Sequence, residues 1–220
     1  MPTDDAVLYR DDHLLVLNKR AGELTVAADG EGPEPLFDRW KKVEPSLRVV
    51  HRLDFATSGV VVFARSAQAA EAVRASAFAG WRKEYLALVH GVPAKRSGTI
   101  SEPLPARTRD VLVDAVTRYW VRETFASAAL LSLSIETGRK HQIRQHCKKL
   151  GHPLVLDPLY GDLQRDRAFK KRHKYRRFFL HAARLEFPHP VTGVAVWIEA
   201  PLPAPFEEVL AELRRPRASA

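Results

Sequence analysis

Residues 49–66 read Val49-Val50-His51-Arg52-Leu53-Asp54-Phe55-Ala56-Thr57-Ser58-Gly59-Val60-Val61-Val62-Phe63-Ala64-Arg65-Ser66. A short apolar lead-in meets three ionisable groups, His51, Arg52 and Asp54. A Thr57-Ser58-Gly59 turn follows, and then the β-branched run from Val60 to Phe63. The pattern predicts strand, turn, strand, with one carboxylate at the bend. Cations beside an acid favour its charged form, which makes Asp54 a candidate reacting group. An aspartate that bonds to nearby amides in a surface turn is the other reading, and for these residues alone it is the better one.

Upstream, Ala6–Tyr9 and His13–Lys19 predict a hairpin whose second strand is almost wholly apolar and therefore interior. Residues 27–35 are rich in Gly, Pro and acids and read as a loop, and a short helical piece is expected at Leu36–Trp40. Downstream, Ser66 is a candidate N-cap for a helix over Ala67–Ala79, with Ala69, Val73 and Phe78 on one face. The run Trp81–Gly91 predicts a strand that puts Trp81, Lys83, Tyr85, Ala87 and Val89 on one side. Taken alone, Tyr85 is a core tyrosine with its hydroxyl satisfied at the edge.

Residues 93–109 lack a period and read as an irregular connection or short edge strands. Strands are expected at Ala115–Glu123 and Ala129–Ile135, and a helix at Arg139–Leu150 with Ile143, Cys147 and Leu150 as its buried stripe. Arg139 and Lys140 in a helical first turn would oppose the usual charge preference of that terminus and suggest an anionic neighbour. A solvated basic helix fits that stretch equally well. A Pro- and Gly-punctuated loop follows from His152 to Asp162. The basic block 165–177, with Lys170, Lys171 and Arg172 at its centre, suits a phosphate backbone with an occasional stacked base. A flexible solvated loop is compatible with that, since basic loops often order on RNA. Strands at Phe178–Phe187 and Val194–Ile198, a helix at Phe206–Leu213 and a frayed tail complete the chain. Strands without regular βαβ alternation predict an α+β fold with a mixed, largely antiparallel sheet and a few flanking helices. No repeat or linker divides the sequence, so one domain over 1–220 is expected, with its core at about 6–213.

The 220 residues are 45% hydrophobic and 28% charged, which excludes wholesale disorder. A net charge of +9, carried mostly by arginine, points to a phosphate-rich partner, most commonly nucleic acid. The single Cys147 excludes an internal disulfide. No apolar run is long enough to span a bilayer, and the start lacks the basic and apolar segments of a signal peptide, so a soluble cytoplasmic protein is expected. His141, His146, Cys147, His152 and Asp157 lie close together, but without the His-His or Cys-x-x-Cys spacing of a zinc site, and no metal is expected. Gly-rich phosphate loops and G-x-S-x-G elbows are absent from the sequence. What remains is a carboxylate among arginines, a tyrosine on an apolar strand and a basic helix.

At this point H-R-L-D-F-A-T-S-G (51–59) resembles the H-R-L-D-x-x-T-S-G signature of the RluA-type pseudouridine synthases. Four further stretches are similar to that family's motifs and stand in its order. They are L-N-K-R-A-G (17–22), K-E-Y-L-A-L-V-H-G (83–91), E-T-G-R-K-H-Q-I-R-Q-H (136–146) and F-L-H-A-A-R-L-E-F-P-H-P-V-T-G (179–193). The resemblance implies a pseudouridine synthase-like fold with a central RNA-binding cleft, and isomerisation of uridine in RNA without metal or cofactor.

By the resemblance Asp54 is the essential carboxylate, as a nucleophile on the ribose or as an acid/base around a glycal-like intermediate. Tyr85 would lie against the uracil and help remove the proton from ring carbon 5. Arg144 would pair with Asp54. Arg52 would fill the gap left by the flipped nucleotide. Arg139, His141, Gln142, Lys170, Lys171 and Arg172 would contact the RNA, a tRNA or an rRNA with a slight lean to tRNA, and a monomer is expected.

Three departures from the pattern stand out. Arg20 replaces a proline and is expected to alter only a turn. Phe55-Ala56 replaces a commonly charged pair. Leu156 replaces a glycine, so its loop backbone is expected to differ. No S4-like RNA-binding domain is expected before residue 6, which leaves RNA recognition to the catalytic domain. A catalytically silent RNA-binding or folding factor is the alternative of a different class, and the presence of Asp54, Tyr85 and Arg144 together weighs against it.

Overall fold

The computed structural model describes residues 6–27, 32–106, 111–173 and 175–215. In chain order the first elements are β1 (Val7–Arg10), β2 (Leu14–Lys19), α1 (Leu36–Lys41), β3 (Arg48–Val49), β4 (Ser58–Ala64), α2 (Ala67–Ala75) and β5 (Arg82–His90). Then come β6 (Ser97–Ser101), β7 (Leu104–Pro105), β8 (Leu112–Val113), β9 (Val116–Thr124) and β10 (Ala128–Ile135). The last are α3 (Gln142–Lys149), α4 (Leu163–His173), β11 (Leu180–Pro188), β12 (Ala195–Glu199) and α5 (Ala204–Arg214). The expected α+β class, with a mixed and mostly antiparallel sheet, holds. The chain forms two compact units: Met1–Lys83 with Ala182–Pro201, and Glu84–His181 with Leu202–Ala220. Among the described residues no helix is long and apolar enough to cross a membrane.

In the first unit β2 pairs antiparallel with both β1 and β4, β3 lies antiparallel on β4, and β12 on β11. Strands β2 and β4 are apolar at nearly every position because both of their faces are covered. One face packs Leu14, Val16, Val60 and Val62 against Ala69, Ala70 and Val73 of α2 and against Trp81 and Phe187. Trp81 and Phe187 stack with ring centroids 4.6 Å apart. From the other face Phe63 meets Phe37 of α1 at 5.6 Å. The expected turn at Thr57-Ser58-Gly59 is displaced: the bend closes earlier, with the Thr57 N–H donating to the Asp54 carbonyl at 3.1 Å, and Ser58 and Gly59 already belong to β4. Gly59 has φ +108°, and a Cβ there would collide with the Ala182 carbonyl, so the strand accepts only glycine at this point. Ser66 caps α2 as expected, accepting from the Ala69 N–H, but the helix stops at Ala75 because Ala77 and Phe78 turn left-handed.

In the second unit β5, β10, β9 and β6 are successive neighbours, with β10–β9 and β9–β6 antiparallel. Its core packs Leu88, Leu130, Val155, Leu156, Phe169 and Phe179 against Phe206, Val209 and Leu210 of α5. Three expectations about helices are corrected here. Helix α3 begins at Gln142, three residues later than expected, so Arg139 and Lys140 precede the first turn and the charge-against-dipole argument for them falls away. Nor is α3 a solvated basic helix, since Gln142, Arg144 and His146 are buried along with Ile143 and Cys147. Most of the basic block is a helix rather than a loop: α4 turns Asp166 and Phe169 inward and leaves Arg165, Arg167, Lys170, Lys171 and Arg172 exposed. Parts of the loop expected at 27–35, part of the connection at 93–109 and the tail beyond 215 lie outside the described residues.

Candidate active site

The loop between β3 and β4 carries His51, Arg52 and Asp54, and it is held largely through its backbone. Thr25 Oγ1 donates to the Leu53 carbonyl at 2.9 Å and accepts from the Leu53 N–H at 3.2 Å. The Phe55 carbonyl accepts from the Gly22 N–H at 2.7 Å and from Lys19 Nζ at 3.2 Å. The main chain is therefore fixed on both sides of Asp54, whose side chain is half-buried. Lys19 has no exposed surface, and its ammonium group also donates to the carbonyls of Arg20 at 3.0 Å and Glu23 at 2.7 Å. A buried cation is tolerated only with such partners. At Arg20 the departure from proline does alter the turn, by adding an N–H that donates to Glu23 Oε2 at 2.9 Å.

Arg52 and Phe55 are exposed on either side of Asp54. His51 is partly exposed as a residue, yet its imidazole is desolvated, and with the charge of Lys83 as a second cause its pKa is pushed down to about 3. It is a neutral ring that accepts from the Val62 N–H at Nδ1, 3.3 Å away. Lys83 is itself lowered by desolvation. Its ammonium lies 4.8 Å from the Phe78 ring centroid and 5.9 Å from that of Trp81.

In the second unit Arg144 is anchored through its side chain. Its Nε and Nη2 each donate to one oxygen of Asp157 at 2.7 Å, a bidentate pair in which both residues are buried. The guanidinium also lies 4.6 Å from the centroid of Phe178 and 5.1 Å from that of Tyr160. Asp157 accepts in addition from the Leu159 and Tyr160 N–H groups at 3.0 and 3.1 Å. Burial alone would raise the Asp157 pKa, but the bonds from Arg144 and these amides hold it below the ordinary carboxylate value. His141 stands at the N-cap of α3 in the left-handed region, φ +54°, with Nδ1 3.2 Å from the Tyr160 hydroxyl. Such strain in a non-glycine residue is characteristic of functional sites.

The candidates separate by unit: Asp54 and Arg52 stand in the first, and Tyr85, Arg144, Arg139, His141, Gln142, Lys170, Lys171 and Arg172 in the second. Tyr85 is buried in β5. Arg139, Lys170, Lys171 and Arg172 are exposed. Gln142 does not have the free amide expected of an RNA contact. It is buried; its Oε1 accepts from Thr137 Oγ1 and the Arg139 N–H, and its Nε2 donates to the Val116 carbonyl and Thr117 Oγ1. Those bonds tie the loop before α3 to β9. His146 is likewise engaged at both ring nitrogens, with Thr117 Oγ1 and the Glu102 carbonyl. The Cys147 thiol is pushed up to about 12, by burial first and by the Asp157 charge second, which makes it inert.

Residues 13–149 match the family described as RNA pseudouridylate synthase. The chain is 38% identical to ribosomal large subunit pseudouridine synthase C of Escherichia coli strain K12, over 97% of this chain and 71% of that protein. It is 37% identical to ribosomal large subunit pseudouridine synthase D of Xanthomonas campestris pv. campestris, with the same coverage. Among solved structures, human RNA pseudouridylate synthase domain containing 4 superposes with a TM-score of 0.78 at 26% identity, over 96% of this chain and 93% of that one. A continuous match over most of the sequence, together with the same fold, leads to one conclusion: the chain belongs to the RNA pseudouridylate synthase family, enzymes that isomerise uridine in RNA.

Proposed function

We propose that the protein isomerises uridine in the large-subunit ribosomal RNA, with Asp54 as the reacting carboxylate. One observation carries the assignment of Asp54. Its two neighbours, Leu53 and Phe55, are both clamped by backbone bonds, so the main chain that carries the carboxylate is fixed on either side. That is the arrangement expected of a group that must meet a reacting atom without reorganising. The carboxylate either attacks the ribose carbon or moves protons around a glycal-like intermediate, so that the N-glycosidic bond breaks, uracil turns, and a carbon–carbon bond forms. Tyr85 lies against the uracil and assists loss of the proton from ring carbon 5. Arg144 is the guanidinium that orients the reacting carboxylate. Arg52, exposed beside Asp54, takes the place of the extruded base in its stack.

Arg139 and the exposed face of α4, with Lys170, Lys171 and Arg172, supply phosphate contacts. Support for the ribosomal target comes from the relatives, which are named as ribosomal large subunit enzymes. That moves the expectation away from tRNA. The experiment is a map of pseudouridines across all cellular RNA with and without this gene. Loss of a signal from large-subunit rRNA is expected. Loss confined to tRNA would overturn the target, and no loss from any RNA would contradict the synthase activity.

A further inference from the structure

The loop that carries Asp157 and Tyr160 contains a residue in a conformation that side-chain-bearing residues seldom take: Leu156 has φ +66°. A glycine would adopt it freely, but the Leu156 side chain is buried in the core with Leu88, Val155, Phe169 and Phe179, so the leucine fills space that a glycine would leave empty. Its conformation has to be held by other means. The Leu156 N–H donates to Asp166 Oδ1 at 2.7 Å. The same oxygen lies 2.7 Å from His90 Nε2, and both His90 and Asp166 are buried. Asp166 is thus an acid in the first turn of an otherwise basic helix, turned inward onto one backbone amide.

The next residue is Asp157, whose carboxylate grips Arg144. The loop has little slack on its far side, because Gly161 closes on it with its N–H donating to the Asp157 carbonyl at 2.9 Å. A Cβ at Gly161 would collide with that carbonyl oxygen and sit 2.8 Å from Asp166 Oδ2. We infer that Asp166, backed by His90, is a positioning residue for the reaction: it fixes the left-handed Leu156 and thereby sets the direction from which Asp157 holds the Arg144 guanidinium. The inference rests on the catalytic role proposed for Arg144.

Single-turnover release of tritium from 5-tritiated uridine, at saturating RNA, tests it with Asp166→Ala, Asp166→Asn, Arg144→Lys and the double variant Asp166→Ala/Arg144→Lys. Asp166→Ala slows the chemical step roughly 10- to 100-fold, as expected for a displaced group beside the chemistry, with RNA affinity little changed. Asp166→Asn, which keeps an oxygen for the Leu156 N–H, restores most of the rate. The double variant is no slower than Arg144→Lys alone, because the two residues act as one unit. If Asp166→Ala does not fold, His90→Phe removes the partner of Asp166 and is held to the same comparison. Rate effects that multiply in the double variant, or a wild-type rate in Asp166→Ala while Arg144→Lys is slow, overturn the inference alone. A wild-type rate in Arg144→Lys overturns the role of Arg144, and the inference with it.

Discussion

The loop that carries Asp54 is anchored through its main chain, and Arg144 through its side chain. Asp54 is carried by a loop whose backbone is clamped from both sides by Lys19, Gly22 and Thr25, and its exposed neighbours Arg52 and Phe55 take no part in the clamp with their side chains. Arg144 is carried by a helix and fixed through its own side chain, by a buried carboxylate and two aromatic rings. The difference follows from what each group has to do. A reacting carboxylate has to stand at a fixed place, and bonds to the main chain on either side of it set that place. A guanidinium has five N–H donors, and two of them can be used for anchoring without ending its usefulness.

Lys19 is the buried charge of the backbone clamp, and removing it is the most damaging way to probe that clamp. Lys19→Met fills similar space but leaves three carbonyls without their ammonium donor. We expect a loss of about 3 kcal/mol in unfolding free energy, read from urea denaturation, since each buried acceptor left unsatisfied costs about 1–3 kcal/mol. A change below about 0.5 kcal/mol, the range of ordinary surface substitutions, would mean that the loop is held by Thr25 and Gly22 without it.

His51, three residues before Asp54, gives the second test, through pH. Its folded-state pKa of about 3 lies below the ordinary value of 6.5. The unfolded chain therefore takes up a proton as pH falls through 6.5 while the folded protein does not. The stability contributed by the neutral ring is complete above 6.5 and is lost progressively between 6.5 and about 3. The slope is about 1.4 kcal/mol per pH unit for one proton. His51→Gln should remove that component from denaturation curves recorded between about pH 7 and about pH 5. An unchanged slope in the variant would show that His51 is protonated in the folded loop.

The smallest expected effect concerns α4. Neutralising Lys170, Lys171 and Arg172 together should weaken RNA binding and reduce the slope of log affinity against log salt. The reduction is about 0.7–0.9 for each phosphate that these side chains neutralise in the complex. An unchanged slope would take this helix face out of the RNA interface.

How far the sequence can be read follows the same division between side chain and backbone. Alternation places β9 within a residue or so, because Thr117, Tyr119 and Val121 are buried between exposed Arg118, Trp120 and Arg122. Strand β10, by contrast, is buried at nearly every position, Ser132 included, and is not the half-buried strand its Leu-Ser alternation suggests. Asp54, Tyr85 and Arg144 stand out because they lie within motifs that carry the family resemblance. Lys19 lies within the motif at 17–22 and Thr25 lies outside any, but neither shows its task, which includes bonding main-chain atoms about thirty residues away, and no residue type or spacing encodes that. Asp157 and Tyr160 match the aspartate and tyrosine of the family's G-D-x-x-Y-G loop, in which Leu156 stands at the first glycine, yet the motif does not show that they hold Arg144.

Thr57-Ser58-Gly59 reads as a turn because those residues have turn composition, whereas Gly59 is there to admit the backbone of Ala182. Helix α4 is hidden by its charge: of its buried residues only Phe169 is apolar, and the other is Asp166. The late start of α3 is hidden because Thr137-Gly138 resembles a helix start, whereas the Gln142 side chain caps the preceding loop.

The most direct measurement compares wild-type protein with Asp54→Ala on 5-tritiated large-subunit rRNA. Asp54→Ala should bind the RNA with unchanged affinity and release no tritium, a loss of about four orders of magnitude or more, as when the nucleophile of an enzyme is removed. Measurable turnover by Asp54→Ala would place the reacting group elsewhere and contradict the account.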